Sequence, residues 1–310
     1  MSAPDESRWG PPADRPRVSL VVATVNRVAE LERLLASLDA QTCKCFEVIV
    51  VDQNPDDRLA PVLQRHPGLA IRHLRCEVGL SRARNAALPE AKGDVIAFPD
   101  DDCWYPPQLV ADVVGWFAAH PDDSVLFTGV RDPQGRSMAS RLAPRRCGPC
   151  TRKNVLNCVV SYNAFLRRQV TEVVGRFDER IGVGSVSRYQ SGEDLDYFLR
   201  PLAHNLRMWY EPRFSVYHPD LNSRERFRRT AYPYALGVGY VLREHGYSVG
   251  YLSGLVLRAL ARVVVTLCQG DLPRAYAYLL RSLGEARGYF FGAQELAHVE
   301  ATAARRAGNA

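Results

Sequence analysis

Residues 78–109, VGLSRARNAALPEAKGDVIAFPDDDCWYPPQL, decide the fold of this 310-residue chain. Residues 81–91 have a helical pattern that Ser81 is placed to cap. They lead into a short apolar strand, 95–98, which empties after Pro99 into three consecutive carboxylates, Asp100, Asp101 and Asp102. An uninterrupted apolar run suits a strand covered on both faces. Helix, buried strand and polar turn in that order form the repeating unit of a parallel sheet with helices on its faces.

The same unit recurs upstream. Val18-Ser-Leu-Val-Val-Ala23 is a strand, and residues 28–40 set Leu31, Leu34, Leu35 and Leu38 at helical spacing. Phe46–Val51 is a second buried strand, 57–66 a helix and 70–74 a third strand. Ligands of such sheets bind beyond the carboxyl ends of the strands. The polar residues there are Thr24, Asn26 and Arg27, then Asp52, Gln53 and Asn54, then the three aspartates, all expected along one edge. Downstream the alternation weakens. A helix is expected over 111–119, strands over 124–130 and 155–166, a short helix over 168–175, a strand over 214–217, and helices from about 224 onward. The fold class is therefore α/β, a mostly parallel central sheet flanked by helices, with a helical C-terminal extension over 224–310. Residues 1–16 are polar and Pro-rich and are expected to be a disordered leader.

Charge is unevenly placed. Lys+Arg 40 against Asp+Glu 34 gives +6, and only Lys44, Lys92 and Lys153 are lysines. Residues 1–203 balance, with 26 cations and 26 acids, so the excess lies in 204–310, with 14 and 8. This argues against a uniform nucleic-acid-binding surface and for a phosphate-bearing or membrane-surface partner on one side. Genomic arginine bias accounts for the missing lysines equally well, but accounts for the localisation of the excess charge less well. The loop 131–153 holds seven cations and one acid, including Arg145 and Arg146, and is expected to be a mobile flap. The eight cysteines are spread through a chain large enough to build its own core, and reduced thiols are expected. Tyr251–Cys268 is apolar but interrupted by Arg258 and Arg262, so no spanning helix is expected. It is amphipathic, suited either to packing on the body or to an anionic membrane surface.

Three adjacent carboxylates repel one another and call for a cation. Mg²⁺ and Mn²⁺ favour oxygen ligands and are often shared with substrate phosphates. His218, after the expected strand 214–217, offers an imidazole to the same ion. Glu193 and Asp194 open an apparent helix after a Gly/Ser-rich stretch, where a carboxylate serves either as a general base or as a helix-terminal charge.

Four ordered segments together resemble the family 2 glycosyltransferases of the GT-A fold over about residues 17–220. VSLVVATVNRVAELERLLASLDAQT is similar to the family's first strand and helix, and FEVIVVDQNPDD to its second strand. VGLSRARNAALPEAKGDVIAFPDDDCWYPPQL resembles its helix, strand and DxD segment. VVGRFDERIGVGSVSRYQSGEDLDYFLR resembles the segment ending in its ED motif. Gln53 departs from the acid or Asn that the family more often has after Asp52.

The resemblance implies a nucleotide-binding part (17–110) and an acceptor-side part (111–223) of one catalytic domain. It implies that Thr24, Asn26, Asp52, Arg84, Asp100 and Asp101 line the nucleotide-sugar site, with Asp52 on the base. Asp102 and His218 would hold Mn²⁺ or Mg²⁺, and Asp194 would be the catalytic base with Glu193 beside it. The implied activity is inverting transfer from a nucleoside-diphosphate sugar to the hydroxyl of a glycan or lipid-linked acceptor. The expected location is cytoplasmic, with peripheral contact at the inner face of the plasma membrane. Competing readings are a catalytically silent sugar-nucleotide or glycan-binding module, a sugar-nucleotide hydrolase, and a nucleotidyltransferase. The last would usually show a Gly-rich phosphate loop after the first strand, where this chain has Ala23-Thr-Val-Asn26.

Overall fold

A computed structural model describes residues 17–138, 147–219 and 224–307. The expected leader, and Arg145 and Arg146 of the expected flap, lie outside the described residues. The strands are β1 (Val18–Thr24), β2 (Phe46–Asp52), β3 (Ile71–Arg75), β4 (Val95–Ala97), β5 (Asp123–Arg131), β6 (Gly148–Pro149), β7 (Ala164–Arg167) and β8 (Arg207–Tyr217). The helices are α1 (Val28–Asp39), α2 (Ala60–Gln64), α3 (Leu80–Ala87), α4 (Leu109–Ala119), α5 (Val155–Cys158), α6 (Arg168–Val174), α7 (Glu193–Ala203), α8 (Arg224–Glu244), α9 (Val249–Cys268) and α10 (Leu272–Ala307).

The chain divides into two compact units. The first comprises residues up to 78, 82–177 and 197–220, and the second comprises 79–81, 178–196 and 221–310. The Glu193–Asp194 segment thus clusters with the C-terminal helices, a different division from a single boundary at 223/224.

The first unit holds one eight-stranded sheet in the order β3-β2-β1-β4-β7-β5-β8-β6. β3, β2, β1 and β4 are mutually parallel, and β2 is buried along its whole length. That is what an unbroken apolar run requires once helices cover both faces. β7 enters antiparallel between β4 and β5, and β5 pairs β8 in parallel, so the sheet is mixed beyond β4. Leu31, Leu34, Leu35 and Leu38 of α1 are fully buried with Val18, Leu20 and Val22 of β1 in one core. Full burial of each such side chain stabilises by roughly 1.5–3 kcal/mol.

The expected strand over 155–166 is overturned except at its end. Residues 155–158 are the helical turn α5, and 161–163 form a 3₁₀ turn. The cause is Asn163, whose amide donates to Thr128 O and Cys158 O and whose carbonyl accepts from Val160 N. Such local side-chain bonds compete with a sheet ladder. Ser81 does not cap α3. The helix already includes Leu80, and the Ser81 hydroxyl donates to Ile181 O. Pro89 ends the helix early, and 88–90 is a 3₁₀ turn. Cys43 and Cys45 are disulfide-linked across the turn before β2, contrary to the expectation of reduced thiols.

In the second unit α8 and α10 approach almost backbone to backbone. A Cβ added at Gly288 would lie 2.1 Å from Leu236 O, and one at Gly239 2.1 Å from Glu285 O. α9 follows its Ser248 cap, whose hydroxyl accepts from Tyr251 N. With a mean hydropathy of 1.6, α9 is long and apolar enough to cross a membrane, against the expectation from Arg258 and Arg262. Only 17% of its apolar window is buried.

Candidate active site

The site of the first unit forms where β1, β2 and β4 end. Thr24 is buried at the tip of β1. Asn26 takes a left-handed conformation (φ 58°) in the turn that follows, tolerable for Asn. Its backbone N–H donates to Asn54 Oδ1 at 2.7 Å, and its side-chain carbonyl accepts from Arg58 at 2.8 Å. Asp52 is completely buried at the end of β2. Its Oδ1 accepts from the backbone and side-chain amides of Asn54, and its Oδ2 lies 3.1 Å from His73 Nε2 and 3.8 Å from Arg75. One carboxylate oxygen thus holds the turn after β2 and the other ties β2 to β3.

After β4, Asp101 and Asp102 are buried and Asp100 is about one-third exposed. Arg27 reaches across from the β1 turn and pairs with both, 2.8 Å from Asp101 and 2.5 Å from Asp102. Burial pushes the Asp101 carboxyl up to about 6, against the pull of Arg27. Burial acts on Asp102 in the same sense, but hydrogen bonding to His218 and the charge of Arg27 outweigh it and hold that carboxyl down at about 2. Arg33 donates to the Asp102 carbonyl at 2.7 Å. Arg84, expected at the nucleotide, is only 2% exposed. It packs against Phe98 and Phe177, donates to Ser161 Oγ at 2.6 Å and stands 3.8 Å from Asp100, backing the aspartate turn from within.

His218, just beyond β8, is 2% exposed and stacks on Tyr162. Its Nε2 lies 3.0 Å from Asp102 Oδ1 and 3.9 Å from Asp100. Its Nδ1 is 2.8 Å from the Pro219 carbonyl and donates to it. That bond fixes the ring so that Nε2 faces the carboxylates: protonated, it donates to Asp102, and once it gives up that proton its lone pair is aimed where a cation between the carboxylates would sit, the arrangement that metal-ligating histidines use. One ligand atom from each of Asp100, Asp102 and His218 falls within a 4.8 Å group. Two carboxylate oxygens and one imidazole nitrogen suit Mn²⁺ or Mg²⁺, so the donor set fits a divalent cation.

Glu193 and Asp194 belong to the second unit, at the first turn of α7. Gly192 before them has φ 100°, and Gly182 has φ 105°. A Cβ on Gly182 would come within 2.9–3.1 Å of the Glu193 side chain, so glycine there seats the buried glutamate. Asp194 is partly exposed. Two residues on, Asp196 pairs with His245 at the end of α8, 2.8 Å apart. A Cβ on Gly237 of α8 would lie 1.8 Å from the Ser191 carbonyl, and the Ser191 hydroxyl donates to Tyr234 O.

Sequence reasoning brought Thr24, Asn26, Asp52, Asp100, Asp101 and Asp102 to one edge and offered His218 to the same ion, and the fold sets these aspartates at the strand ends with His218 against Asp102. It assigned no role to Arg27, Gly237 or the Asp196–His245 pair. Arg27 was visible only as one more polar residue after β1. The other two depend on α8, whose neighbours no local pattern reveals.

The family model for glycosyl transferase family 2 matches residues 19–175. An uncharacterized glycosyltransferase, YwdF, of Bacillus subtilis (strain 168) is 28% identical over 194 residues, 59% of this chain and 67% of that protein. Two further curated glycosyltransferases are spanned over only 37% and 39% of their length. Among solved structures, residues 1–349 of S. aureus TarS in complex with UDP-GlcNAc superpose with a TM-score of 0.55 at 18% identity, covering 90% of this chain and 92% of that one. The mannosyltransferase PcManGT from Pyrobaculum calidifontis, in complex with GDP-Man and Mn²⁺, gives 0.57 at 22% identity, covering 97% and 82%. The GT-A fold, the Asp-Asp-His cluster at the strand ends and the family match agree: this chain is a glycosyltransferase of family 2.

Proposed function

We propose that the enzyme moves a sugar from a nucleoside-diphosphate sugar to the hydroxyl of a glycan or lipid-linked acceptor, with inversion, in cell-surface glycan or glycolipid synthesis. The observation that carries this reading is the convergence of Asp100, Asp102 and His218 at the carboxyl edge of a nucleotide-binding sheet. The TarS and PcManGT structures with bound nucleotide sugars support the donor class for this chain.

In this reading residues 17–110 bind the nucleotide, with Thr24, Asn26 and Asp52 lining its pocket, and 111–223 serve the acceptor. Asp100, Asp102 and His218 hold Mn²⁺ or Mg²⁺, which when bound offsets the charge of the leaving diphosphate. Arg27 keeps Asp101 and Asp102 turned toward the site, and Arg84 holds Asp100 from behind. The Asp194 carboxylate accepts the proton of the acceptor hydroxyl as it attacks, which requires an approach of about 3 Å. Glu193 shapes the turn that presents it. The enzyme works in the cytoplasm, at the inner face of the membrane that carries its acceptor.

A thermal-shift series with UDP-GlcNAc and GDP-mannose, with and without Mn²⁺, tests this reading. A metal-dependent stabilisation by one donor that Asp102→Asn removes is expected. A gain that survives in Asp102→Asn refutes the metal assignment.

A further inference from the structure

α9 and α10 turn a large apolar surface outward. On α9 the buried positions Leu252, Ala259 and Thr266 are seven apart and form one inward stripe. On another side Leu257, Leu260, Val264 and Leu267 recur at three- and four-residue spacing, 64%, 37%, 60% and 47% exposed. On α10 Leu272, Tyr276, Leu279, Leu283 and Phe290 repeat the pattern, each between 39% and 66% exposed. The opposite side of α10, with Gly284 and Gly288, packs on α8. Soluble surfaces rarely carry so many contiguous exposed apolar side chains without a partner.

The charges of this stretch are mostly basic. Arg258 and Arg262 are exposed, lie four residues apart and run along one side of α9, between the exposed Val265 and the buried stripe. Residues 249–283 contain four arginines and a single acid, Asp271. An exposed apolar surface edged on one side by arginines, whose long stems let the charge reach the headgroups, is complementary to a lipid surface bearing phosphates.

We propose that this face of α9 and α10 docks on an anionic bilayer, with the leucine, valine and aromatic stripes sunk into the headgroup–acyl boundary. The buried stripe of α9 commits that helix to lie in the membrane plane. A helix crossing the bilayer would have to give up its packing at Leu252, Ala259 and Thr266. A second copy of the chain is the poorer occupant, because the same stretch of a copy offers four arginines a single acid to pair with. The unit that carries this face also carries Asp194, so docking would hold the acceptor half of the enzyme at the lipid that bears its substrate. That last link rests on the proposed function, whereas the docking does not.

Flotation of the full chain with phosphatidylcholine vesicles, with and without phosphatidylglycerol, tests the proposal. Binding to the anionic vesicles alone, weakened by salt, is expected. Arg258→Glu with Arg262→Glu should weaken it at least on the order of tenfold, since each basic residue near such a surface contributes roughly fivefold. Leu257→Glu with Val264→Glu should abolish it. All four side chains are exposed, so both variants should fold and keep any donor-dependent thermal shift. No binding to anionic vesicles at low salt overturns the proposal. So does dimerisation in light scattering that Leu257→Glu/Val264→Glu removes while vesicle binding persists. Vesicle binding without any donor-dependent shift would instead tell against the donor assignment.

Discussion

Trp104 and Tyr217 exchange backbone hydrogen bonds in both directions, each 2.9 Å long. Their rings stack at 5.7 Å, and Arg33 lies over the Trp104 ring. This single bridge ties the loop after β4 to the end of β8, and so sets His218 against Asp102 although the two are far apart in sequence. Trp104 is not in the Asp-Asp-His donor set, yet its bridge helps set where the imidazole stands.

Trp104→Ala should therefore weaken metal binding more than it weakens the fold. Loss of the ring pair costs about 1 kcal/mol beyond lost area. Disturbing the support of a ligating histidine typically costs 10–100-fold in metal affinity. Mn²⁺ titration followed by thermal shift should show that weakening. An unchanged Mn²⁺ midpoint would mean that other contacts hold His218 in place.

His218→Ala should abolish Mn²⁺-dependent donor stabilisation while leaving the apo-protein folded, because the ring sits at the end of β8 and not in its ladder. His218→Gln retains an acceptor and should keep part of the effect. Circular dichroism with a Mn²⁺ titration separates the two outcomes.

The parallel half of the sheet was legible in the sequence because its strands are short, uninterrupted apolar runs, each followed by a polar turn. β7 was legible only at its end. Asn163 spends its amide on the neighbouring backbone and breaks the strand that Val159 and Val160 suggest. Arg84 was expected at the nucleotide, and the structure buries its side chain beneath the aspartate turn. Its sequence context, Ser81-Arg-Ala-Arg-Asn85, does not reveal which arginine turns inward, and the aromatic rings of Phe98 and Phe177 that receive it come from distant segments. The second unit was least legible. The glycines of α8 and α10 look like weak helix formers until the other helix is seen lying against them.

Arg84→Gln should act mainly on stability. It removes the Arg84 bond to the Ser161 hydroxyl and leaves a void between Phe98 and Phe177, a loss of about 2–4 kcal/mol. The melting temperature of the apo-protein should fall clearly. A normal melting temperature with a raised donor KM would return Arg84 to a direct nucleotide role.

Asp194→Asn should lower kcat by roughly 10²–10⁴-fold, the usual contribution of general base catalysis, with donor KM little changed. Glu193 is buried and Gly182 closes over it, so Glu193→Gln should cost stability as well as rate. A full-rate Asp194→Asn enzyme would move the base elsewhere.

Gly237→Ala tests whether α8 seats the catalytic turn. The added methyl would lie 1.8 Å from the Ser191 carbonyl, so either the 189–194 segment or α8 must move. Overpacking of this kind costs about 1–3 kcal/mol. The distinguishing measurement is the kinetic split. Displacement of the turn that carries Asp194 lowers kcat and leaves the donor KM and the Mn²⁺ midpoint unchanged, because Asp100, Asp102 and His218 belong to the other unit. Parallel loss of Mn²⁺ binding would mean that the substitution unfolds more than the turn. Gly246→Ala is the control. Its cost is backbone strain alone (φ 66°), with no atom within 4 Å of the added methyl, and it should lose stability without the selective loss of kcat.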